Sequence, residues 1–234
     1  LDWRKAFDRV NPESMIIALR RFGMPEDYLR IISAIYTDRK FCVKDGDRTS
    51  DWMPQYAGIA QGCPLSPYLF LLVHSAIMHD VETQLTQNHT QPQPWLLSQQ
   101  HPLWDLAYAD DTVILTRTAE RCQEILGLIQ STAQQYNLRL NLGKCELIRK
   151  NASADVHFHP NHSTIDPLTR KPPKVKVKQQ AKYLGVIITE DTSTHNDIRA
   201  RIAKARAGFQ TLQRFWKNSN ITKKWKLRVF TACF

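Results

Sequence analysis

Apolar residues along the chain follow two spacings, one typical of helices and the other typical of strands. Helical spacing predicts six helices, at about residues 12–22, 25–36, 66–86, 119–136, 195–217 and from 222 onward. The first is introduced by Asn11 as an N-cap, with Pro12 in the first turn, and it ends at Gly23. The third is apolar through its first half, so we expect it to be buried.

Strand-like runs and turn residues predict hairpins between these helices. They lie at residues 40–56 around an Asp-Gly turn, in "DLAYADDTVIL" (105–115), in "LRLNLGKCELI" (138–148), and in "KVKVK" paired with "KYLGVII" (174–188). Residues 87–102 and 151–173 lack periodicity and are predicted to be loops. Helices and hairpins in mixed order, with few parallel crossovers, predict an α+β fold with an antiparallel sheet.

The composition narrows the class of protein. A chain of 234 residues, 42% of them hydrophobic, can form one large domain or a domain with part of another. Its longest apolar run, residues 68–73, is far shorter than the roughly 20 residues that span a bilayer, and no secretory signal opens the chain. Five scattered cysteines without a C-x-x-C pair fit a reducing compartment. We therefore expect an intracellular protein without a membrane partner.

Positive charge is concentrated toward the C-terminus. Residues 170–234 contain 16 Lys and Arg against 3 Asp and Glu, a net charge of +13, whereas residues 1–169 contain 16 against 19, a net charge of −3. A basic segment beside a slightly acidic body is typical of a protein that binds a polyanion, most often nucleic acid. The alternative is a solvated basic surface that has no such partner.

Two adjacent carboxylates, Asp110 and Asp111, lie at a predicted turn between apolar strands. If both were buried and ionised, a cation would have to offset their repulsion. The alternative is an ordinary solvated turn, since Asp is common in turns. Asp2, at the end of another apolar strand, is the candidate third carboxylate. Strand-end carboxylates brought together could hold two Mg²⁺ ions about 3.5–4 Å apart, the arrangement used in phosphoryl transfer.

Five blocks carry a family resemblance: "LDWRKAFDRV", "GIAQGCPLSPYLF", "AYADDTVIL", "LRLNLGKCELI" and "KYLGVII". In this order and at these separations they resemble the reverse transcriptase domain of non-LTR (LINE-type) retrotransposons. The resemblance implies a right-hand polymerase palm, a mainly antiparallel sheet backed by helices, over residues 1–190. It implies a partial helical thumb over 191–234 and a fragment from which the fingers are missing.

Matched to the family's motifs, Asp2 and Asp110 are the expected ligands of both Mg²⁺ ions, with Mn²⁺ as an alternative metal, and Asp111 is the accompanying carboxylate. Lys144 matches a lysine proposed to protonate the departing pyrophosphate; an ammonium group there can also neutralise developing charge. The alternative for Lys144 is a solvated turn lysine.

The resemblance also implies contacts with the incoming nucleotide. Phe7 matches an aromatic gate that would crowd a ribose 2′-hydroxyl and so favour deoxynucleotides. Without the resemblance, a core residue on the first helical turn is the preferred interpretation of Phe7. Gln61 and Gly62 match the block beneath the nucleotide and template. Glycine permits close approach of a ligand, and glutamine offers both a donor and an acceptor.

Primer and template contacts are expected in the C-terminal part. Tyr183, Leu184 and Gly185 resemble the primer grip. The basic residues after them are expected to follow phosphates without reading bases: Arg199, Arg201, Lys204, Arg206, Lys223, Lys224 and Lys226.

These residues together predict an RNA-directed DNA polymerase that extends a DNA primer on an RNA template with deoxynucleoside triphosphates. Its expected partners include the remaining domains of a parent polyprotein, and the resemblance favours the nucleus. One alternative is a non-catalytic nucleic-acid-binding remnant. Another is an RNA-dependent RNA polymerase, which "YADD" and Phe7 disfavour.

Overall fold

The computed structural model describes residues 1–87, 95–98, 101–159 and 172–233. Its helices are α1 (Ala6–Arg9), α2 (Pro12–Arg21), α3 (Glu26–Tyr36), α4 (Ser66–Gln87), α5 (Ala119–Gln135), α6 (His195–Thr211), α7 (Gln213–Lys217) and α8 (Lys223–Cys233). Its strands are β1 (Lys40–Phe41), β2 (Lys44–Asp45), β3 (Arg48–Thr49), β4 (Met53–Pro54), β5 (Trp95–Ser98), β6 (His101–Leu103), β7 (Asp105–Tyr108), β8 (Asp111–Ile114), β9 (Glu146–Leu147), β10 (Lys176–Val177), β11 (Gln180–Tyr183) and β12 (Val186–Thr189).

The chain forms two compact units. The first comprises Leu1–Leu147 with Ala152–Lys176, and the second comprises Ile148–Asn151 with Val177–Phe234. The palm expected over residues 1–190 and the partial thumb expected over residues 191–234 stay predictions.

The predicted helices are confirmed to within a few residues at each end, apart from a break near residue 212 that separates α6 from α7. The predicted cap of α2 is also confirmed, since the Asn11 side chain accepts a hydrogen bond of 3.0 Å from the Ser14 N–H. This bond satisfies one of the amides that an α-helix leaves unpaired in its first turn.

The core of the first unit surrounds α4, which is packed against α2 and α5. The expectation that its apolar half is buried is confirmed by Leu69, Phe70, Val73 and Ile77, each at most 1% exposed. Burying a side chain of this size stabilises a fold by about 1.5–3 kcal/mol. No helix in the described part of the chain has both the length and the apolar character needed to cross a membrane.

Strands pair in small antiparallel sheets, which confirms the α+β class. The pairs β1–β4, β2–β3, β5–β6, β7–β8 and β11–β12 are all antiparallel. A single larger sheet was expected, whereas the described strands form two-stranded sheets. The strands are only two to four residues long, and isolated β-bridges, such as Trp3–Leu140, join segments outside them.

Four local expectations were wrong. Residues 138–148 do not form a hairpin, because β9 pairs with β10 and Leu140 forms an isolated bridge with Trp3. The predicted loop at 87–102 contains β5 and most of β6, which pair with each other, while its residues 88–94 and 99–100 lie outside the described part. The predicted surface loop at 151–173 places Val156 and Phe158 in the core, 2% and 0% exposed, while its residues 160–171 lie outside the described part. The last hairpin forms within 180–189, so "KVKVK" is not its first strand.

Candidate active site

The adjacent carboxylates lie at the tip of the β7–β8 hairpin. Tyr108 pairs with Asp111, so Ala109 and Asp110 form the two-residue turn, with Ala109 in the left-handed region at φ 53°. Asp110 and Asp111 are both exposed. The prediction that this pair is buried and therefore needs a cation is wrong, because water can solvate both exposed charges.

Backbone hydrogen bonds place Asp2 beside this turn. The Leu1 nitrogen donates to the Thr112 carbonyl at 2.6 Å, and the Thr112 N–H donates back to the Leu1 carbonyl at 3.5 Å. In an antiparallel pair the next residue of one segment lies across from the preceding residue of the other, so Asp2 faces the Asp111 position. The structure thus brings together two carboxylate positions more than a hundred residues apart in sequence.

A turn at residues 141–145 holds the other side of Asp2. The Asn141 N–H donates to the Asp2 carbonyl at 2.8 Å, and the Asp2 N–H donates to Cys145 Sγ at 3.4 Å. Burial raises the pKa of the Cys145 thiol, so the group remains a neutral partner. The Lys144 Nζ lies 3.9 Å from Asp2 Oδ2, and its side chain is 69% exposed. This lysine is therefore near the carboxylate without being fixed to it.

Beneath the hairpin, Thr112 forms a buried contact that the sequence analysis missed. Its Oγ1 lies 2.9 Å from His74 Nε2 and accepts a long hydrogen bond, 3.4 Å, from Trp3 Nε1. Burial lowers the pKa of His74 to about 4. The only sequence signal was a histidine within the apolar half of a predicted buried helix.

The segment around Gly58 is packed directly on the turn after Asp2. The Gly58 N–H donates to the Val10 carbonyl at 2.8 Å, and the Ile59 N–H donates to the Phe7 carbonyl at 2.7 Å. A Cβ on Gly58 would lie 2.8 Å from the Asp8 carbonyl oxygen, and Gly58 has φ 93°. This position therefore requires glycine, a requirement that the sequence analysis did not identify.

Gln61 lies three residues after this close approach. Its Nε2 donates to Asp8 Oδ1 at 2.8 Å, which leaves the amide oxygen available as an acceptor. Gly62 has φ 83° and open space where a Cβ would be, so its backbone conformation favours glycine.

Phe7 is half-buried, and its ring stacks on Phe70 with centroids 5.2 Å apart. Phe7 thus packs against the core and remains partly exposed. The core packing is therefore observed, and the gate role stays a prediction.

The chain is similar in sequence to known proteins over most of its length. Residues 1–188 match the reverse transcriptase (RNA-dependent DNA polymerase) family. The chain belongs to this family. Similar proteins include the Pol polyprotein of a type-1 R2 retrotransposable element from Nasonia vitripennis, which is 30% identical over 196 residues, 80% of this chain and 18% of that polyprotein. The RNA-directed DNA polymerase of the mobile element jockey from Drosophila melanogaster is 27% identical over 80% of this chain and 19% of its own length.

The resemblance to non-LTR reverse transcriptases is thereby confirmed. A second jockey polymerase, from Drosophila funebris, is 28% identical over 87% of this chain and 21% of its own length. This reverse transcriptase chain spans about a fifth of the length of these relatives.

The donor set at the turn fits a magnesium ion. Among the residues that the structure describes, no three acidic, His or Cys side chains group into a metal site on their own. Mg²⁺ is usually held by one or two carboxylates, with substrate phosphates and water completing its oxygen ligands. Asp2 and the turn carboxylates provide hard oxygen donors of that kind.

In the second unit, the primer-grip candidates lie at the β11–β12 turn. Leu184 and Gly185 have φ 48° and 84°, typical of a type I′ turn, and Tyr183 pairs with Val186. Leu184 is 48% exposed. This hairpin therefore presents an apolar side chain at its tip.

The basic candidates of this unit lie on α6. Arg199, Arg201 and Lys204 are all exposed. Arg201 Nε donates to Asp197 Oδ2 at 2.7 Å, and Asp197 Oδ1 accepts from the Ile187 N–H at 3.0 Å. The Arg201 guanidinium, and then the Ile187 amide, lower the pKa of Asp197. Asp197 thus attaches α6 to β12 and Arg201 pairs with Asp197, whereas Arg199 and Lys204 are exposed cations of the helix.

Proposed function

We propose that this chain contains the catalytic site of an RNA-directed DNA polymerase that adds deoxynucleotides to a primer 3′-hydroxyl. The observation that carries the proposal is the set of backbone hydrogen bonds that joins Leu1 to Thr112 and Asp2 to Asn141. These bonds bring three separate motifs, with Asp2, Asp110 and Lys144, to one edge of the first unit.

In this proposal Asp2 and Asp110 hold two Mg²⁺ ions together with the triphosphate oxygens, and Asp111 is the accompanying carboxylate. Bound Mg²⁺ would activate the primer hydroxyl and stabilise the leaving oxygen. Asp2 is the better-fixed ligand, because its backbone N–H and carbonyl are both hydrogen-bonded, to Cys145 and Asn141, and its side chain is 32% exposed. Asp110 lies on an exposed turn and can adjust to the substrate.

Lys144 would act on the pyrophosphate. Its loose 3.9 Å contact with Asp2 leaves the ammonium group free to reach a triphosphate and donate a proton to it. On the nucleotide side, the free amide oxygen of Gln61 offers an acceptor and the ring edge of Phe7 would crowd a 2′-hydroxyl. Gly62 leaves open space beside them.

The substrates proposed are an RNA template, a DNA primer and deoxynucleoside triphosphates. The matched relatives include proteins named RNA-directed DNA polymerase, which supports this choice. Arg199, Lys204 and the β11–β12 tip would contact the primer–template backbone, since exposed cations on a helix suit phosphate contacts.

The test is primer extension on an RNA template by the full-length protein. Asp110→Asn should lower the rate by on the order of 10²–10³-fold, because a metal ligand contributes several kcal/mol of transition-state stabilisation. The matched control is Asp45→Asn, which removes an exposed carboxylate from the β2–β3 hairpin and should leave the rate unchanged. Equal activity of the Asp110 variant and the original protein would refute the assignment.

A second candidate function is nucleic-acid binding without synthesis. It is favoured by the exposed cations of α6. It predicts binding that weakens steeply with salt and no Mg²⁺-dependent incorporation. Incorporation that depends on Asp110 would exclude it.

A further inference from the structure

Thr112 is the residue that directly follows the two hairpin carboxylates, and it is 1% exposed. Its backbone exchanges hydrogen bonds with Leu1, next to Asp2. Because side chains alternate along a strand, its hydroxyl lies on the face opposite to Asp111, toward the interior. The same residue therefore contacts the catalytic edge through its backbone and the core through its side chain.

The hydroxyl of Thr112 has two buried partners. Trp3 Nε1 can only donate, so Thr112 Oγ1 accepts that bond of 3.4 Å. The hydroxyl proton is then available to His74 Nε2, 2.9 Å away. A neutral imidazole can accept it, and burial favours the neutral form by lowering the pKa of His74 to about 4. This arrangement pairs all three polar groups.

Each partner comes from a different motif. Trp3 follows Asp2, Thr112 follows Asp111, and His74 lies on the buried face of α4. The His74 ring also meets the Trp3 indole edge-to-face, with centroids 5.9 Å apart. His74 is therefore held by both of the segments that carry the proposed metal ligands.

We infer that Thr112 and His74 are positioning residues, whose hydrogen bond fixes the spacing between Asp2 and the Asp110–Asp111 turn. The inference rests on the proposed function, since the spacing matters only if these carboxylates share a metal site. Metal and substrate sites require their ligands to be held within about 0.5 Å of the productive geometry. The β7–β8 pairing sets the shape of the exposed turn, and Thr112 attaches it to the interior.

Two substitutions of Thr112 separate the hydrogen bond from the side-chain shape. Thr112→Ser keeps the hydroxyl, while Thr112→Val keeps the shape and removes it. Thr112→Val should lower kcat by about 10–100-fold, the usual effect of losing a partner that orients a metal ligand. It should also raise the Mg²⁺ concentration needed for half-maximal rate, with little change in KM for the nucleotide. Thr112→Ser should retain most of the activity.

Amide hydrogen exchange tests the same hydrogen bond in the absence of metal and substrate. In the metal-free protein, Thr112→Val should speed amide exchange in the 105–115 hairpin and at residues 1–4, and Thr112→Ser should not. A double-mutant cycle adds His74→Leu, which removes the acceptor. The double variant should lose no more activity than the worse single variant, because both break the same bond.

Several results would overturn the inference. These are equal kcat, Mg²⁺ dependence and exchange in the two Thr112 variants, additive losses in the cycle, or a lower Tm with unchanged kcat below it. Should Thr112→Val fail to fold, the comparison passes to His74→Gln, whose amide oxygen can accept the hydroxyl proton, against His74→Leu, which cannot. If the unsubstituted protein shows no Asp110-dependent synthesis, the proposed function has failed, and the exchange and Tm data still decide whether the bond orders the hairpin.

Discussion

At the scale of single residues, the three carboxylates differ in how firmly they are held. Asp2 is hydrogen-bonded through its backbone to Asn141 and Cys145, and its side chain is only partly exposed. Asp110 and Asp111 lie on an exposed two-residue turn. In the proposed site, a fixed ligand and an exposed one would together accept a metal–triphosphate complex without a preformed three-carboxylate cluster.

Gly58 provides the clearest prediction of a backbone effect. Gly58→Ala should destabilise the fold and lower activity, because its methyl group would lie 2.8 Å from the Asp8 carbonyl oxygen at φ 93°. Gly23→Ala is the matched control, since Gly23 has φ 75° and no atom within 4 Å of the place that a methyl group would take. The strain of positive φ alone costs about 1–2 kcal/mol. Urea unfolding should show a larger loss for Gly58→Ala, and equal losses would contradict the close approach.

His74 predicts a pH dependence of stability. Its pKa is about 4 in the folded state because of burial, against 6.5 as its ordinary value. Between these values the unfolded chain binds the proton and the folded one does not, so stability is full above pH 6.5 and falls as pH falls toward 4. The free energy of unfolding should be roughly 2 kcal/mol lower at about pH 5 than at about pH 7 from this group.

The contribution of His74 can be isolated by comparing urea unfolding of the original protein and of His74→Gln at both pH values. Other titrating groups are common to the two proteins and cancel in the difference. The variant should lose about this much less stability between the two pH values. An identical pH dependence in both proteins would show that His74 does not titrate in this way.

At the scale of elements, the candidate site residues are positioned by short hairpins and capped helices, not by long strands. The β7–β8 turn presents the carboxylates, the 141–145 turn presents Lys144, and the β11–β12 turn presents Leu184. The β7–β8 and β11–β12 turns are tight because Ala109, Leu184 and Gly185 adopt positive φ. The positions of these tips are therefore set by turn geometry and by the core beneath them.

The cap of α2 gives a prediction at this scale. Asn11→Ala should lower the free energy of unfolding by about 1 kcal/mol, because the Ser14 amide loses its acceptor. Asn11→Asp retains an acceptor and should stay close to the original stability. Thermal and urea unfolding of the three proteins measure the difference, and equal stability of the Ala and Asp variants would mean that the cap contributes nothing.

At the scale of the whole molecule, charge is divided unevenly along the chain. The 16 basic and 3 acidic residues of 170–234 contrast with the slightly acidic remainder. On α6 the cations are exposed, and no residue of that helix is buried. A surface of this kind favours phosphate contacts that release counterions.

Salt dependence tests whether these cations contact nucleic acid. Arg199→Gln with Lys204→Gln should reduce the slope of log K against log salt by about 0.7–0.9 for each phosphate that the variant no longer neutralises. Lys40→Gln with Lys44→Gln removes the same charge from exposed residues of the first unit and is the matched control. Equal slopes for the two double variants in filter-binding or anisotropy titrations would show that only net charge matters.

The sequence by itself determined the helices, the α2 cap, the α+β class and the family. Helical periodicity and capping depend on residues within a few positions of each other, and five motifs in order identify a family without any knowledge of packing. The predictions from sequence were wrong where the structure depends on contacts between residues far apart in the chain. Val156 and Phe158 lie in a segment without periodicity, yet the core buries them. The strand "KYLGVII" contained a turn because Leu184 and Gly185 adopt positive φ.

Only the tertiary structure decided how the candidate site is assembled. That Leu1 pairs with Thr112, that Asn141 holds Asp2, and that Gly58 lies against Asp8 are contacts between residues about 50 to 140 positions apart. It also showed the two turn carboxylates exposed, and it revealed His74 beneath them. The physical reason is that neighbouring residues determine the local backbone conformation. Burial and hydrogen-bond partners depend on which distant segments pack together in the folded chain.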